Sequence, residues 1–150
     1  MIRFKTIAVG TDGSATALRA VSTAASMANA YGAKLVIVTA FYNVPSSMWG
    51  SPTTGEDQVP VISEDMADTF LTQATEAAKA EGCDNITVLA RSGDPVNVMT
   101  SVVNEEGADV LVVGNKGVHS IRGRVFGNVA TELMRKSPVD VMVVNTESDR

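Results

Sequence analysis

The sequence predicts one doubly wound α/β domain, a parallel sheet with helices on both of its faces. Three observations carry that reading. Short apolar runs, most of them rich in β-branched residues, recur along the chain; helical 3-4 spacing fills the intervals between them; and the order is a regular β-α-β-α-β-α-β-α-β. Continuous rather than alternating apolarity is what a strand needs when both faces are covered, so five buried, parallel strands joined by right-handed crossovers are expected.

The first strand is Ile7-Ala8-Val9. Ser14 follows as an N-cap, its hydroxyl able to accept from a free N–H of the first helical turn, and Leu18, Val21, Ala25 and Ala28 then trace one helical face. Tyr31-Gly32 closes that helix, since glycine adopts the left-handed C′ conformation at no steric cost. Leu35-Val36-Ile37-Val38 is the second strand. From Tyr42 to Ile62 the rhythm breaks: Pro45, Pro52, Pro60, Gly50 and Gly55 stand among Ser and Thr, the composition of a long loop that serves as a cover or an insertion. Ser63 caps the second helix, Glu64 and Asp65 face its positive end, Met66, Phe70, Ala74 and Ala77 form its inner face, and Glu81-Gly82 ends it.

Ile86-Thr87-Val88-Leu89 is a weaker strand. Asp94-Pro95 reads as an N-cap followed by a proline at the first helical position, and Gly107 stops the third helix before the strand Val110-Leu111-Val112-Val113. Asn128 opens a fourth helix that carries Val129, Leu133 and Met134, with Arg135-Lys136 at its negative end and Ser137-Pro138 as its terminator. The last strand lies within Val139 to Val144. Met66, Met99 and Met134 fall on apolar helical faces and are expected in the core.

Composition narrows the function classes. The 150 residues are 45% hydrophobic but only 5% aromatic, so Ala, Val, Ile, Leu and the 7 Met must build the core. Twelve Lys and Arg against 17 Asp and Glu give a net charge of -5, the wrong sign for non-specific attraction to nucleic acid or to an anionic membrane. One cysteine, Cys83, excludes an internal disulfide and a four-cysteine zinc site, and is expected as a small structural or surface thiol. The N-terminal residues form no signal-peptide core and no apolar run approaches a membrane span, so a cytoplasmic location is expected.

Ligands of open α/β sheets bind outside the carboxyl ends of the strands, which directs attention to two glycine-rich exits. After the first strand comes Gly10-Thr11-Asp12-Gly13-Ser14; after the fourth comes Gly114-Asn115-Lys116-Gly117, and then, nine residues on, Gly127-Asn128 at the start of the fourth helix. Glycine lets a backbone approach a phosphate, and a helix N-terminus offers free N–H donors, so the two exits suit opposite ends of one nucleotide. Lys116, Arg122 and Arg124 stand between Gly114 and Gly127 without any Asp or Glu, a cationic island that serves either phosphate or solvent. Neither G-x-G-x-x-G nor G-x-x-x-x-G-K-[ST] is present, which argues against dinucleotide dehydrogenases and P-loop NTPases.

The arrangement Gly114-x2-Gly117-x9-Gly127-Asn128, together with Thr11-Asp12-Gly13-Ser14, resembles the signature of the ATP-binding branch of the universal stress protein family, and the likeness runs from about Thr6 to Val144. That resemblance implies a single domain over residues 1–150 with a flavodoxin- or Rossmann-like sheet of strand order 3-2-1-4-5. It implies a stress-response regulator that binds ATP, with or without Mg2+, and changes conformation or partners; cAMP is the alternative ligand. Gly10 and Thr11 would belong to the nucleotide site, Asp12 would meet the ribose or adenine side, Ala40 the adenine, Val113, Gly114 and Asn115 the ribose and phosphates, and Gly117, Gly127, Asn128 and Val129 the phosphates. Asn128 departs from the family pattern, which has Ser or Thr there. A homodimer through the last strand, Asp140 to Val144, is also implied.

Other chemistry finds less support. His119 is the sole histidine, and nothing in the sequence sets a nucleophile beside it. Asp12 suits either a Mg2+ ion or an Asx turn, and Trp49 either a stacking contact or a loop packing role. No base stands beside the γ-phosphate position, so no catalytic residue is assigned and the enzyme alternative is at most a very slow ATPase.

Overall fold

The computed structural model describes residues 1–42, 62–115 and 128–146. Five strands, β1 (Thr6–Gly10), β2 (Lys34–Phe41), β3 (Ile86–Ser92), β4 (Val110–Gly114) and β5 (Asp140–Val144), form one sheet with the order β3-β2-β1-β4-β5, every neighbouring pair parallel. Between them run α1 (Ala15–Tyr31), α2 (Glu64–Ala80), α3 (Pro95–Glu106) and α4 (Asn128–Lys136).

Side chains alternate across the strands and so feed two cores. Ile7, Val9, Leu35, Ile37, Val110 and Val112 pack with Val21, Ala24 and Ala28 of α1 and Leu71, Ala74 and Ala78 of α2. Ala8, Val36, Val38, Leu111 and Val113 pack on the other face with Val98, Met99, Val102 and Val103 of α3 and Leu133 of α4.

The helix ends follow local chemistry. Ser14 Oγ accepts from Ala17 N–H at 3.1 Å, Ser63 Oγ from Met66 N–H at 3.2 Å, and Asp94 Oδ2 from Asn97 N–H at 3.2 Å, each filling a donor that the first turn leaves open. Gly32 and Gly107 close α1 and α3 with φ of 65° and 63°. The ends of the long segment meet, since Tyr42 N–H donates to the Ile62 carbonyl at 3.0 Å. Its interior, including Trp49, lies outside the described residues.

Three expectations need correction. Burial on both faces holds for β1, β2 and β4 but not for β3 and β5, which are edges with a neighbour on one side only; Met142 and Val143 of β5 remain 39% and 37% exposed. The inner face of α2 is Ala67, Leu71, Ala74 and Ala78, turned one residue from the expected Met66-Phe70 face, with Ala77 only partly buried beside it. Small alanines let this helix close on the sheet and on α1, and Met66 is left 42% exposed. Met134 is 56% exposed as well, so Met99 alone of the three methionines is core. Cys83 is buried, the structural alternative of the two.

Candidate ligand site at the strand exits

The chain winds from β1 outward to β2 and β3, then returns to add β4 on the opposite side of β1. This reversal is the switch point, and the Val9↔Val112 register sets the exits of β1 and β4 side by side there.

The β1 exit is a tied turn. Thr11 N–H donates to the Val38 carbonyl at 2.9 Å, and the Thr39 hydroxyl donates to the Thr11 carbonyl at 3.0 Å. Thr11 Oγ1 accepts from Gly13 N–H at 3.3 Å, and Asp12 Oδ1 accepts from Ser14 N–H at 3.0 Å, the Asx turn weighed above. Asp12 is thereby placed at the rim of the switch point, in the same turn that starts α1.

The two glycines of this turn lie close against neighbouring side chains. A Cβ on Gly10 would lie 3.3 Å from Met99 Sδ, and one on Gly13 would lie 2.4 Å from Phe70 Cδ1. Gly13 also has a φ of +83°, a backbone conformation that L side chains rarely adopt, so space and dihedral both favour glycine there.

At the β4 exit Val113 is buried, Gly114 and Asn115 are half-buried, and Asn115 N–H donates to the Val144 carbonyl of β5 at 3.0 Å. Ala40, half-buried near the end of β2, pairs with Arg91 in register. Beyond it, burial and then the Asp94 carboxylate push the Tyr42 phenol above its ordinary range. Val129 lies half-buried in the first turn of α4, packed on the second core, and Asn128 begins that helix.

The structure therefore gathers Gly10, Thr11, Asp12, Val113, Gly114 and Asn115 at one switch point, with Ala40 one strand along. Gly117 and Gly127, with Lys116, His119, Arg122 and Arg124, lie outside the described residues. For a metal, Asp12 is the carboxylate at these exits, and among the described residues no three His, Cys, Asp or Glu side chains gather to hold an ion. A Mg2+ here would take most of its oxygens from a bound phosphate chain and water.

Sequence reasoning missed two residues. Among the described residues the buried polar side chains are Thr11, Thr39 and Thr146, and all three sit at the strand exits. Buried polar groups need partners, and here the partners are the site's own backbone and side-chain groups.

A parallel sheet wound in both directions, with glycine-bearing exits at its switch point, defines a doubly wound α/β protein, a class whose ligands bind outside the carboxyl ends of the strands at that point. The sequence matches the universal stress protein family over residues 3–145, and the chain belongs to that family. It is 36% identical over 146 residues to universal stress protein Rv1636 of Mycobacterium tuberculosis, a match that covers 97% of this chain and 99% of that protein. Among solved structures it resembles a universal stress protein in complex with cAMP, at 35% identity and a TM-score of 0.73, over 97% of this chain and all of that one. The hypothetical protein MJ0577 shares the fold at 16% identity and a TM-score of 0.74, over 99% of this chain and 100% of its own.

Proposed function

We propose that this chain, acting as a single domain over residues 1–150, binds an adenine nucleotide across the exits of β1, β2 and β4 and works as a regulator through ligand-dependent conformation or partner choice. The observation that carries the reading is the meeting of the tied Thr11–Ser14 turn with Gly114-Asn115 at the switch point. Asp12 faces the ribose, Gly10, Thr11 and Ala40 the base side, Val113, Gly114 and Asn115 the ribose and phosphates. Gly117, Gly127, Asn128 and Val129 hold the phosphates.

ATP is the ligand favoured by the resemblance of Gly114-x2-Gly117-x9-Gly127 to the signature of the family's ATP-binding branch. The cAMP complex of a relative at 35% identity favours cAMP as the second reading. Hydrolysis is not assigned, since the described site offers no positioned base for water. The protein acts in the cytoplasm as a homodimer through β5, whose exposed Met142 and Val143 form an edge suited to pairing across a two-fold axis.

The test begins with mass spectrometry of whatever small molecule leaves the purified protein on denaturation, followed by calorimetry with ATP, cAMP and adenosine. Asn128→Asp sets a negative charge at the start of α4, where phosphate is expected, so it weakens ATP strongly and adenosine hardly at all. No binding of any of the three by the wild type overturns the reading. Equal ATP affinity in the variant removes Asn128 from the site.

A further inference from the structure

The Asn115 side chain and Thr146 have no role in the reading above, yet they are tied more closely than any other pair at the exits. In a parallel ladder a residue's N–H and C=O reach two alternate residues of the neighbouring strand. Asn115 N–H donates to the Val144 carbonyl at 3.0 Å, so the next rung would run from Thr146 N–H to the Asn115 main-chain carbonyl. It runs instead to Asn115 Oδ1 at 3.0 Å, and the Thr146 hydroxyl donates to the same oxygen at 2.7 Å.

A backbone N–H only donates, so the atom it meets must be the amide oxygen, and the amide is held in one of its two orientations. Its Nδ2 then points toward Asn145 Oδ1, 3.5 Å away. Thr146 is buried, which makes an unfilled hydroxyl or N–H costly there. The side chain thus replaces the main-chain carbonyl as the last rung, and the main chain is released from the sheet at Asn115, one residue past the last ladder pair Gly114–Val144.

We propose that Asn115 and Thr146 form a positioning pair: Thr146 clamps the Asn115 amide as the sheet's last rung and so fixes the direction in which Gly114-Asn115 leave β4 at the ligand. The inference rests on the reading of these exits as an adenine-nucleotide site. It also ties the site to β5, the strand that carries the exposed Met142–Val143 edge.

The experiment has a ligand-free arm and a binding arm. In the first, hydrogen exchange is followed by NMR on the ligand-free protein. The Thr146 amide is protected in the wild type and exchanges about tenfold faster in Asn115→Leu, which lacks the acceptor, while the Leu111 and Val112 amides are unchanged. In the second, Thr146→Val removes the hydroxyl but keeps the shape and the N–H. It weakens ATP by about fivefold, weakens adenosine less because only its ribose meets this exit, and shifts the Asn115 side-chain amide resonance, and Thr146→Ser restores all three.

General loosening of the fold would instead weaken both ligands equally and speed exchange at Val112. Equal Thr146 exchange in wild type and Asn115→Leu overturns the ladder rung, and wild-type ATP affinity in Thr146→Val overturns its positioning role. If Asn115→Leu does not fold, the Asn115 amide resonance in Thr146→Val decides the clamp. A wild type that binds no adenine nucleotide overturns the functional reading and the positioning role with it, while the exchange arm still upholds or overturns the rung.

Discussion

Gly13 gives the sharpest test of how the first exit is built. Its backbone has a φ of +83°, and an added Cβ would lie 2.4 Å from Cδ1 and Cε1 of Phe70 and 2.6 Å from Cγ. Gly13→Ala therefore meets two separate penalties. Left-handed backbone costs a non-glycine residue about 1–2 kcal/mol, and forcing a ring out of a packed position costs about 1–3 kcal/mol. Loss of roughly 2–5 kcal/mol would remove a large share of the ~5–15 kcal/mol that holds an ordinary domain together. At ~2–4 °C per kcal/mol for a chain of this size, the melting temperature falls by roughly 4–20 °C in calorimetry. Phe70→Ala in the same background removes the ring but not the backbone penalty, so a double-mutant cycle should return a coupling of about 1–3 kcal/mol. Strict additivity, or a Gly13→Ala protein that melts with the wild type, would refute the packing argument.

The remaining predictions concern the cap, alkaline pH and the open edge. Ser14→Ala removes the acceptor for Ala17 N–H and should cost about 1 kcal/mol, read as a lower urea midpoint with unchanged slope. Burial raises the Cys83 thiol, and burial with Asp94 raises the Tyr42 phenol, above their ordinary 9.0 and 10.0. A group that holds its proton more tightly when folded gives stability that is complete below its ordinary value and lost as pH rises through the folded value. The urea midpoint should thus fall from about pH 9 upward, and Cys83→Ala should flatten the onset of that fall. Met142→Lys with Val143→Lys places two charges on the exposed edge of β5 and should yield monomers in light scattering; a wild type already monomeric at high concentration removes the dimer proposal.

Local chemistry was legible and neighbour relations were not. Ser14, Ser63 and Asp94 cap their helices as read, because a cap is decided by one side chain and the turn that follows it. Burial depends on what lies beside a strand. Val-Met-Val-Val in β5 is as apolar as Val-Leu-Val-Val in β4, yet β5 is an edge and stays half-open. The strand order came from family resemblance, since apolar runs carry no information on which of them are adjacent. In α2 either Met66-Phe70 or Ala67-Leu71 satisfies helical spacing. Side-chain size decides, because Ala67, Ala74 and Ala78 are small enough for the helix to close on its neighbours.

The candidate site shows the same division with a functional consequence. Glycine-rich exits were legible, but a threonine at the end of a strand looks like any polar residue leaving a sheet. Thr39 of β2 holds the Thr11 carbonyl of the β1 exit, and Thr146 beyond β5 holds the Asn115 amide of the β4 exit. Each exit at the switch point is thus pinned by a buried threonine from the strand on its outer side. Pinning removes conformational freedom while the chain folds, so less of it is left to lose when a ligand arrives. The strands that flank β1 and β4 therefore bear on the candidate site: β2 ties down the turn that carries Asp12, and the segment after β5 ties down Gly114-Asn115 where they leave β4.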